Sequence, residues 1–236
     1  MIINLISSPR NISTALMYSF AQRTDTKVID EPFYAYYLLN GGADHPGREE
    51  IINSQPTTIQ GVCDWIDEVA STNKVVFVKN MAHHLIDADL DFLDKFTNVF
   101  LIRDPALLIA SFAKVIEKPT MEAIGIARQF ELYERLSLNG HCPVIDSGNV
   151  LANPKNVLKK LCEEIDIPFE EQMLNWEKGA LAEDGIWAKY WYDNVHNSTG
   201  FAAPIKTHIP ELTSELQLLL AASLPYYSQL SANSIK

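Results

Sequence analysis

Five short stretches of this chain carry side chains that could do chemistry. Arg10 lies in Ser7-Ser8-Pro9-Arg10-Asn11-Ile12-Ser13-Thr14, between an apolar run and a helical pattern. A helix start offers free N–H groups and the positive end of its dipole, so an arginine and two hydroxyls there suit an anion. Arg103 follows Phe100-Leu101-Ile102, and Ser111 stands eight residues later, about two helical turns on. An arginine fork and a hydroxyl so placed can share one phosphate. Glu31, in Asp30-Glu31-Pro32-Phe33, and His83 or His84, in Phe77-Val78-Lys79-Asn80-Met81-Ala82-His83-His84, are candidate bases for taking a proton from an attacking group. Lys79 lies in the same loop as the histidines. A late run, Gly185-Ile186-Trp187-Ala188-Lys189, adds an aromatic face and a cation.

Each of these has a plainer reading. Ser13 could cap its helix with Arg10 solvated, and Arg103 could pair with Asp104. Glu31-Pro32 could simply end a strand. Adjacent histidines are often surface residues, and Trp187 could belong to a core patch.

The elements that must hold these residues can be read from the pattern. Short β-branched runs at Ile2–Ile6, Lys27–Ile29, Val75–Val78, Asn98–Ile102 and Val144–Ile145 read as strands. Helices are expected over Ser13–Arg23, Ile59–Ala70, Pro105–Val115, Thr120–Leu138, Asn153–Glu164 and Glu211–Ala222. Phe33–Thr58 reads as a short helix followed by a mobile loop, and Trp176–Pro204 has no clean period. Alternating strands and helices predict an α/β three-layer sandwich, a central parallel sheet flanked by helices, in one domain over residues 1–236. Ligands of such sheets sit at the carboxyl ends of the strands. The chemistry-bearing stretches all follow predicted strands except the last.

Composition narrows the function. The chain has 236 residues, 47% of them hydrophobic, and a formal net charge of -11. That balance fits a folded globular protein and argues against a nucleic-acid partner, which would call for a basic face. Three scattered cysteines make no CxxC pair, so neither a disulfide framework nor a zinc site is expected. No apolar run reaches the roughly 20 residues that span a bilayer, and a cytoplasmic protein without a membrane partner is expected.

The phosphate-loop region departs from GxxxxGK[ST]: both glycines are missing and Ser13 stands where the lysine belongs. Pro9, Arg10, Asn11, Ile12, Ser13 and Thr14 instead resemble the phosphosulfate-binding loop of sulfotransferases, with Ile12 where a glycine is usual. A β-branched residue does not readily take positive φ, so the loop is expected to close differently. Arg103-Asp104-Pro105 and Ser111 resemble the family's 3′-phosphate site. The resemblance runs from Ile2 to about Leu161.

It implies a P-loop-like sulfotransferase fold and a donor, 3′-phosphoadenylyl sulfate (PAPS), leaving as adenosine 3′,5′-bisphosphate. No metal is required. The acceptor would be a small molecule with a hydroxyl or amine, held by the aromatic segment Phe33–Tyr37 and the helix Thr120–Leu138. It implies that Arg10 neutralises charge on the donor, and that Glu31 or His83 is the base. Lys79 would lie near the transferred group, and Gly185, Trp187 and Lys189 would fold over the nucleotide. A P-loop kinase using Mg-ATP and a non-catalytic nucleotide-binding domain are the alternatives.

Overall fold

The computed structural model describes residues 1–86, 89–202 and 211–236. Six strands form one parallel sheet: β1 (Ile2–Ser7), β2 (Thr26–Asp30), β3 (Val75–Met81), β4 (Thr97–Ile102), β5 (Val144–Asp146) and β6 (Ser234–Ile235). Their order is β2-β3-β1-β4-β5-β6. β1 is central, with Ile3 opposite Phe77 of β3 and Thr97 of β4.

Both faces of the sheet are covered, which is why its strands are nearly continuous in apolar residues. Side chains alternate between two cores. Leu5, Phe77, Val99 and Leu101 face Leu16, Phe20 and Leu158 on one side. Ile6, Val78, Phe100 and Ile102 face Val62, Ile66, Phe130 and Leu230 on the other. Phe20 stacks on Phe77 with ring centroids 4.1 Å apart.

A buried asparagine row ties the central strands together. Asn80 Nδ2 donates to Asn4 Oδ1 at 2.6 Å, and Asn4 Nδ2 donates to Asn98 Oδ1 at 2.8 Å. The row crosses β3, β1 and β4, and slipping a strand by one residue would turn its asparagine to the other face.

The expected strands are all present, and the structure adds β6. Three helical expectations are revised. Residues Thr120–Leu138 do not make one helix: Met121–Ile124 and Ile126–Ser137 are separated by Gly125, at φ 68°. A Cβ at Gly125 would sit 3.4 Å from His83, so the glycine supplies both the left-handed turn and the close approach. The closing helix runs over Ser214–Ala232, through Pro225, rather than ending at Ala222. Contacts beyond the proline hold it: Tyr227 donates to Asp146 Oδ2 at 2.9 Å, and Leu230 is fully buried. They offset a penalty of about 3 kcal/mol for proline inside a helix.

The segment after the first aromatics is also more ordered than a loop. Helices Tyr34–Gly41 and Arg48–Ile52 flank a turn, and Ile51 is buried. Within Trp176–Pro204 lie two single-turn helices, Ala188–Trp191 and Asp193–His196, and residues 203 and 204 fall outside the described part. Among the described residues, no helix is long and apolar enough to cross a membrane.

Candidate active site

The loops after β1, β2, β3 and β4 meet around a cavity of about 680 Å³. One end is cationic. Pro9, Arg10, Asn11, Ile12, Ser13, Thr14, Arg103 and Ser111 all contribute to its wall.

The loop after β1 closes through Arg10. This residue has φ 57°, whereas Ile12 has φ -91°. The isoleucine therefore meets no steric conflict, and the left-handed position has moved two residues earlier. Left-handed backbone at a non-glycine residue costs of order 1–3 kcal/mol and survives only where neighbours enforce it. Here they do. Arg103 donates from its guanidinium to the Arg10 carbonyl oxygen, and Asn11 Nδ2 donates to the Leu101 carbonyl at 3.2 Å. Arg10 Nε reaches Ser111 Oγ at 3.3 Å, tying the first loop to the helix Pro105–Phe112.

The helix Ser13–Ala21 begins at Ile12 with no side-chain cap. Ser13 is buried and does not serve as one, so among the described residues the first N–H groups of the helix have no capping side chain. Asp104 is not the partner of Arg103; it accepts from Ala106 N at 2.8 Å and caps its own helix. Among the described residues, neither Arg10 nor Arg103 lies within ion-pair distance of a carboxylate. Burial lowers the pKa of both, and Arg10 adds to the effect on Arg103. Two crowded, partly desolvated guanidiniums beside an uncapped helix start make a site for a multiply charged anion.

The other end is built from Glu31, Tyr34, Tyr37, His45, His83, His84 and Trp191. Glu31 follows β2 at φ 38°, also left-handed, with its N–H on the Lys79 carbonyl at 2.8 Å. Behind it, Lys79 is completely buried and bonds Asp30 Oδ1 at 2.8 Å and Glu31 Oε1 at 2.7 Å. Tyr192 closes the group, contacting Lys79 and donating to Asp30 Oδ2 at 2.8 Å. One ammonium thus serves two carboxylates. Burial raises the Glu31 pKa, Lys79 opposes that rise, and Asp30 reinforces it. Burial works against the Lys79 charge, but the two carboxylates hold its pKa above the ordinary value.

His84 is sandwiched between Tyr34 and Tyr37, at centroid distances of 4.6 and 4.8 Å. His83 lies edge-on to Tyr37 at 5.2 Å. Burial lowers the His83 pKa to about 3 and pushes His84 well below 6.5, with neighbouring His45 adding to both. Both imidazoles are therefore neutral at pH 7. Each has a buried Nδ1 without a hydrogen-bond partner among the described residues.

The model of the sulfotransferase domain family matches residues 1–234. The chain belongs to this family. Two Arabidopsis thaliana proteins, branched-chain-amino-acid aminotransferase-like proteins 1 and 2, are 36% and 35% identical to it over 234 and 207 residues. These alignments cover 98% and 87% of this chain but 42% and 37% of theirs, so the chain spans less than half the length of those relatives.

Solved sulfotransferase structures share the fold. The domain from the curacin biosynthetic pathway has a TM-score of 0.59 at 16% identity, over 95% of this chain and 97% of that one. The sulfotransferase from Alicyclobacillus acidocaldarius has a TM-score of 0.56 at 13% identity, over 98% and 94%.

Within this sulfotransferase domain, three expectations about placement are corrected. Trp187 is not on the cavity wall; it is 2% exposed, edge-on to Tyr34, and donates to the Tyr192 hydroxyl at 3.1 Å. Lys189 points outward and pairs with Glu50 at 2.7 Å. Lys79 lies behind Glu31, not on the cavity wall. Of the aromatic segment, Tyr34 and Tyr37 face the cavity, whereas Phe33 stacks on Phe92 at 5.4 Å in the core. From residues 120–138, Ala123 alone lines the cavity.

Sequence reasoning did not single out Tyr192, His45 or the pairing of Asp30 with Lys79. No local pattern marks them. Their partners include one 11 positions away, Tyr34 for His45, and one 113 away, Lys79 for Tyr192.

Proposed function

We propose that this domain transfers a sulfuryl group from 3′-phosphoadenylyl sulfate to a small acceptor, releasing adenosine 3′,5′-bisphosphate. One observation carries the reading: Arg10, Arg103 and the uncapped helix start share a single cavity with Glu31. Anion binding and proton removal are thus brought together, as group transfer requires.

Arg103 and Ser111 hold the 3′-phosphate. Arg10, Ser13, Thr14 and the first helical N–H groups surround the 5′ side, where the bound donor presents the transferable sulfuryl group. Arg10 faces the negative charge that grows on the leaving oxygen. Glu31 takes the acceptor's proton, its raised pKa making it a stronger base than an ordinary carboxylate. His83, with a pKa near 3, is too weak a base for this step and serves as a neutral wall.

The test is a thermal shift with adenosine 3′,5′-bisphosphate beside ATP, with and without Mg²⁺. A selective, metal-independent rise of about 2.7 kcal/mol at 100 times the dissociation constant supports the donor site. A rise for Mg-ATP alone favours a kinase. Bisphosphate binding without sulfuryl transfer to any of a broad set of acceptors favours a non-catalytic nucleotide-binding domain.

A further inference from the structure

Glu31 is backed by a buried polar cluster drawn from separate parts of the chain: Asp30 beside it, Lys79 on β3, and Tyr192, 161 positions after it. One ammonium lies between two carboxylates, 2.8 Å from Asp30 Oδ1 and 2.7 Å from Glu31 Oε1. How its charge divides between them sets how tightly Glu31 holds a proton. A buried carboxylate with another beside it and no hold on the ammonium keeps its proton at neutral pH and cannot act as a base.

The Tyr192 hydroxyl stands where it governs that division. It accepts from Trp187 Nε1 at 3.1 Å and from Lys79, so its own proton is left for a carboxylate. Asp30 Oδ2 and Oδ1 lie 2.8 and 2.9 Å away, and Glu31 Oε1 lies 3.4 Å away. The proton therefore goes to Asp30, which also accepts from Gly185 N at 3.0 Å. With a hydroxyl and an amide on it, Asp30 draws less on the ammonium. Burial and the two carboxylates push the Tyr192 pKa well above 10, so the hydroxyl stays a donor.

The other groups facing Glu31 do not compete. His84, 3.8 Å from Oε2, is kept neutral by burial, and the Tyr34 pKa is raised by burial and by Glu31 itself. Burial and Asp30 push the Glu31 pKa up, and Lys79 and Tyr192 pull it down. Among the described residues, the hydrogen bonds to this carboxylate fall on Oε1 and none on Oε2.

We propose that Tyr192 is a positioning residue for Glu31: by satisfying Asp30 it keeps the Lys79 ammonium on Oε1 and leaves Oε2 to take the acceptor's proton. This rests on the sulfotransferase reading and adds a residue to it. With both carboxylates ionised the cluster has one net negative charge. Once Oε2 has taken the proton, Lys79 pairs with Asp30 and the buried cluster is neutral.

Glutamate labelled with ¹³C at its side-chain carboxyl reads the base directly in the intact chain, with Glu31→Gln assigning the signal. In the wild type Glu31 should titrate above 4.5. Tyr192→Phe keeps the ring beside Lys79 and removes only the hydroxyl. It should raise the Glu31 midpoint by about one pH unit, a roughly tenfold tighter hold on the proton. Asp30→Asn, which removes the competing carboxylate, should lower it. In the Asp30→Asn background Tyr192→Phe should move the midpoint far less than it does alone. An unmoved or lowered midpoint in Tyr192→Phe overturns the proposal, as does an equal shift in both backgrounds. Where loss of the hydroxyl prevents folding, 3-fluorotyrosine at position 192 keeps it in place as a stronger donor and weaker acceptor. Glu31 should then titrate lower, and an unchanged or higher midpoint overturns the proposal.

The link to turnover is read with water as the probe acceptor, its proton passing to Glu31 and its oxygen to sulfur. Release of adenosine 3′,5′-bisphosphate from 3′-phosphoadenylyl sulfate should fall about tenfold in Tyr192→Phe at pH values below the limb, with bisphosphate affinity unchanged. A pH profile that stays in place while the Glu31 midpoint moves removes Tyr192 from the reaction. No bisphosphate binding by the wild-type chain defeats the sulfotransferase reading itself and leaves the titration standing.

Discussion

Arg103 donates to the main-chain carbonyl of Arg10, 93 positions earlier, so the two cations facing the cavity are held in register by one contact. The same contact helps keep Arg10 at φ 57°. Removing Arg103 should therefore do two things at once. Arg103→Ala is expected to weaken adenosine 3′,5′-bisphosphate binding by more than tenfold, or about 1.4 kcal/mol, while far-ultraviolet circular dichroism stays native. Isothermal titration would measure it, and wild-type affinity would remove Arg103 from the site.

Arg10 separates charge from backbone. Arg10→Gly relieves the left-handed position and Arg10→Ala does not, yet both lose the guanidinium. Both variants should lose turnover by about 10²–10³. Denaturant unfolding should find Arg10→Gly more stable than Arg10→Ala by about 1 kcal/mol. Equal stability would mean that the loop relaxes when the side chain is cut.

Glu31→Gln should reduce turnover by about 10²–10⁴ with little change in bisphosphate affinity. Since burial raises the Glu31 pKa, kcat/KM of the wild type should rise with pH along a limb above the ordinary 4.5. The stability effect has the opposite sense. The folded state holds this proton more tightly than the unfolded chain, so the contribution is complete below pH 4.5. It is lost as pH climbs through the raised value. Glu31→Gln should abolish both trends.

Lys79 offers a contrast between structural and catalytic roles. It is buried between two carboxylates, and Lys79→Met would leave them uncompensated at a cost of about 3–5 kcal/mol. Adding Glu31→Gln should recover part of that loss. A lysine acting only on a transferred group would leave the melting temperature unmoved.

His83 and His84 resist protonation in the folded state, His83 down to about pH 3. Their depressed values make a contribution to stability that is complete above the unfolded value of 6.5. It is lost as pH falls from there toward the folded values. Urea unfolding between pH 7 and 5 should lose more than 1 kcal/mol per pH unit while two such groups stay neutral. His83→Phe should flatten that slope.

Much of the architecture was written locally. The five apolar β-branched runs, each short and bounded by turn residues, placed the first five strands. The Pro9–Thr14 stretch and the Arg103…Ser111 spacing placed the cationic end, because each runs from a strand end into the helix that follows, whose geometry follows from strand and helix periods. Glu31 was legible for the same reason, as a charge at a strand end.

What the sequence could not determine was which distant groups meet. Ile12 seemed to forbid the loop until tertiary contacts from Arg103 and Asn11 moved the left-handed residue to Arg10. Trp187 and Lys189 matched a motif, yet packing turned one into the core and the other toward Glu50. Lys79 became a counter-ion once β2 and β3 paired with Asp30 opposite it. His84 is kept uncharged by burial, stacked on Tyr34 and Tyr37. Local pattern sets backbone period and end groups; long-range packing sets burial, and burial decides the charge and role of each side chain.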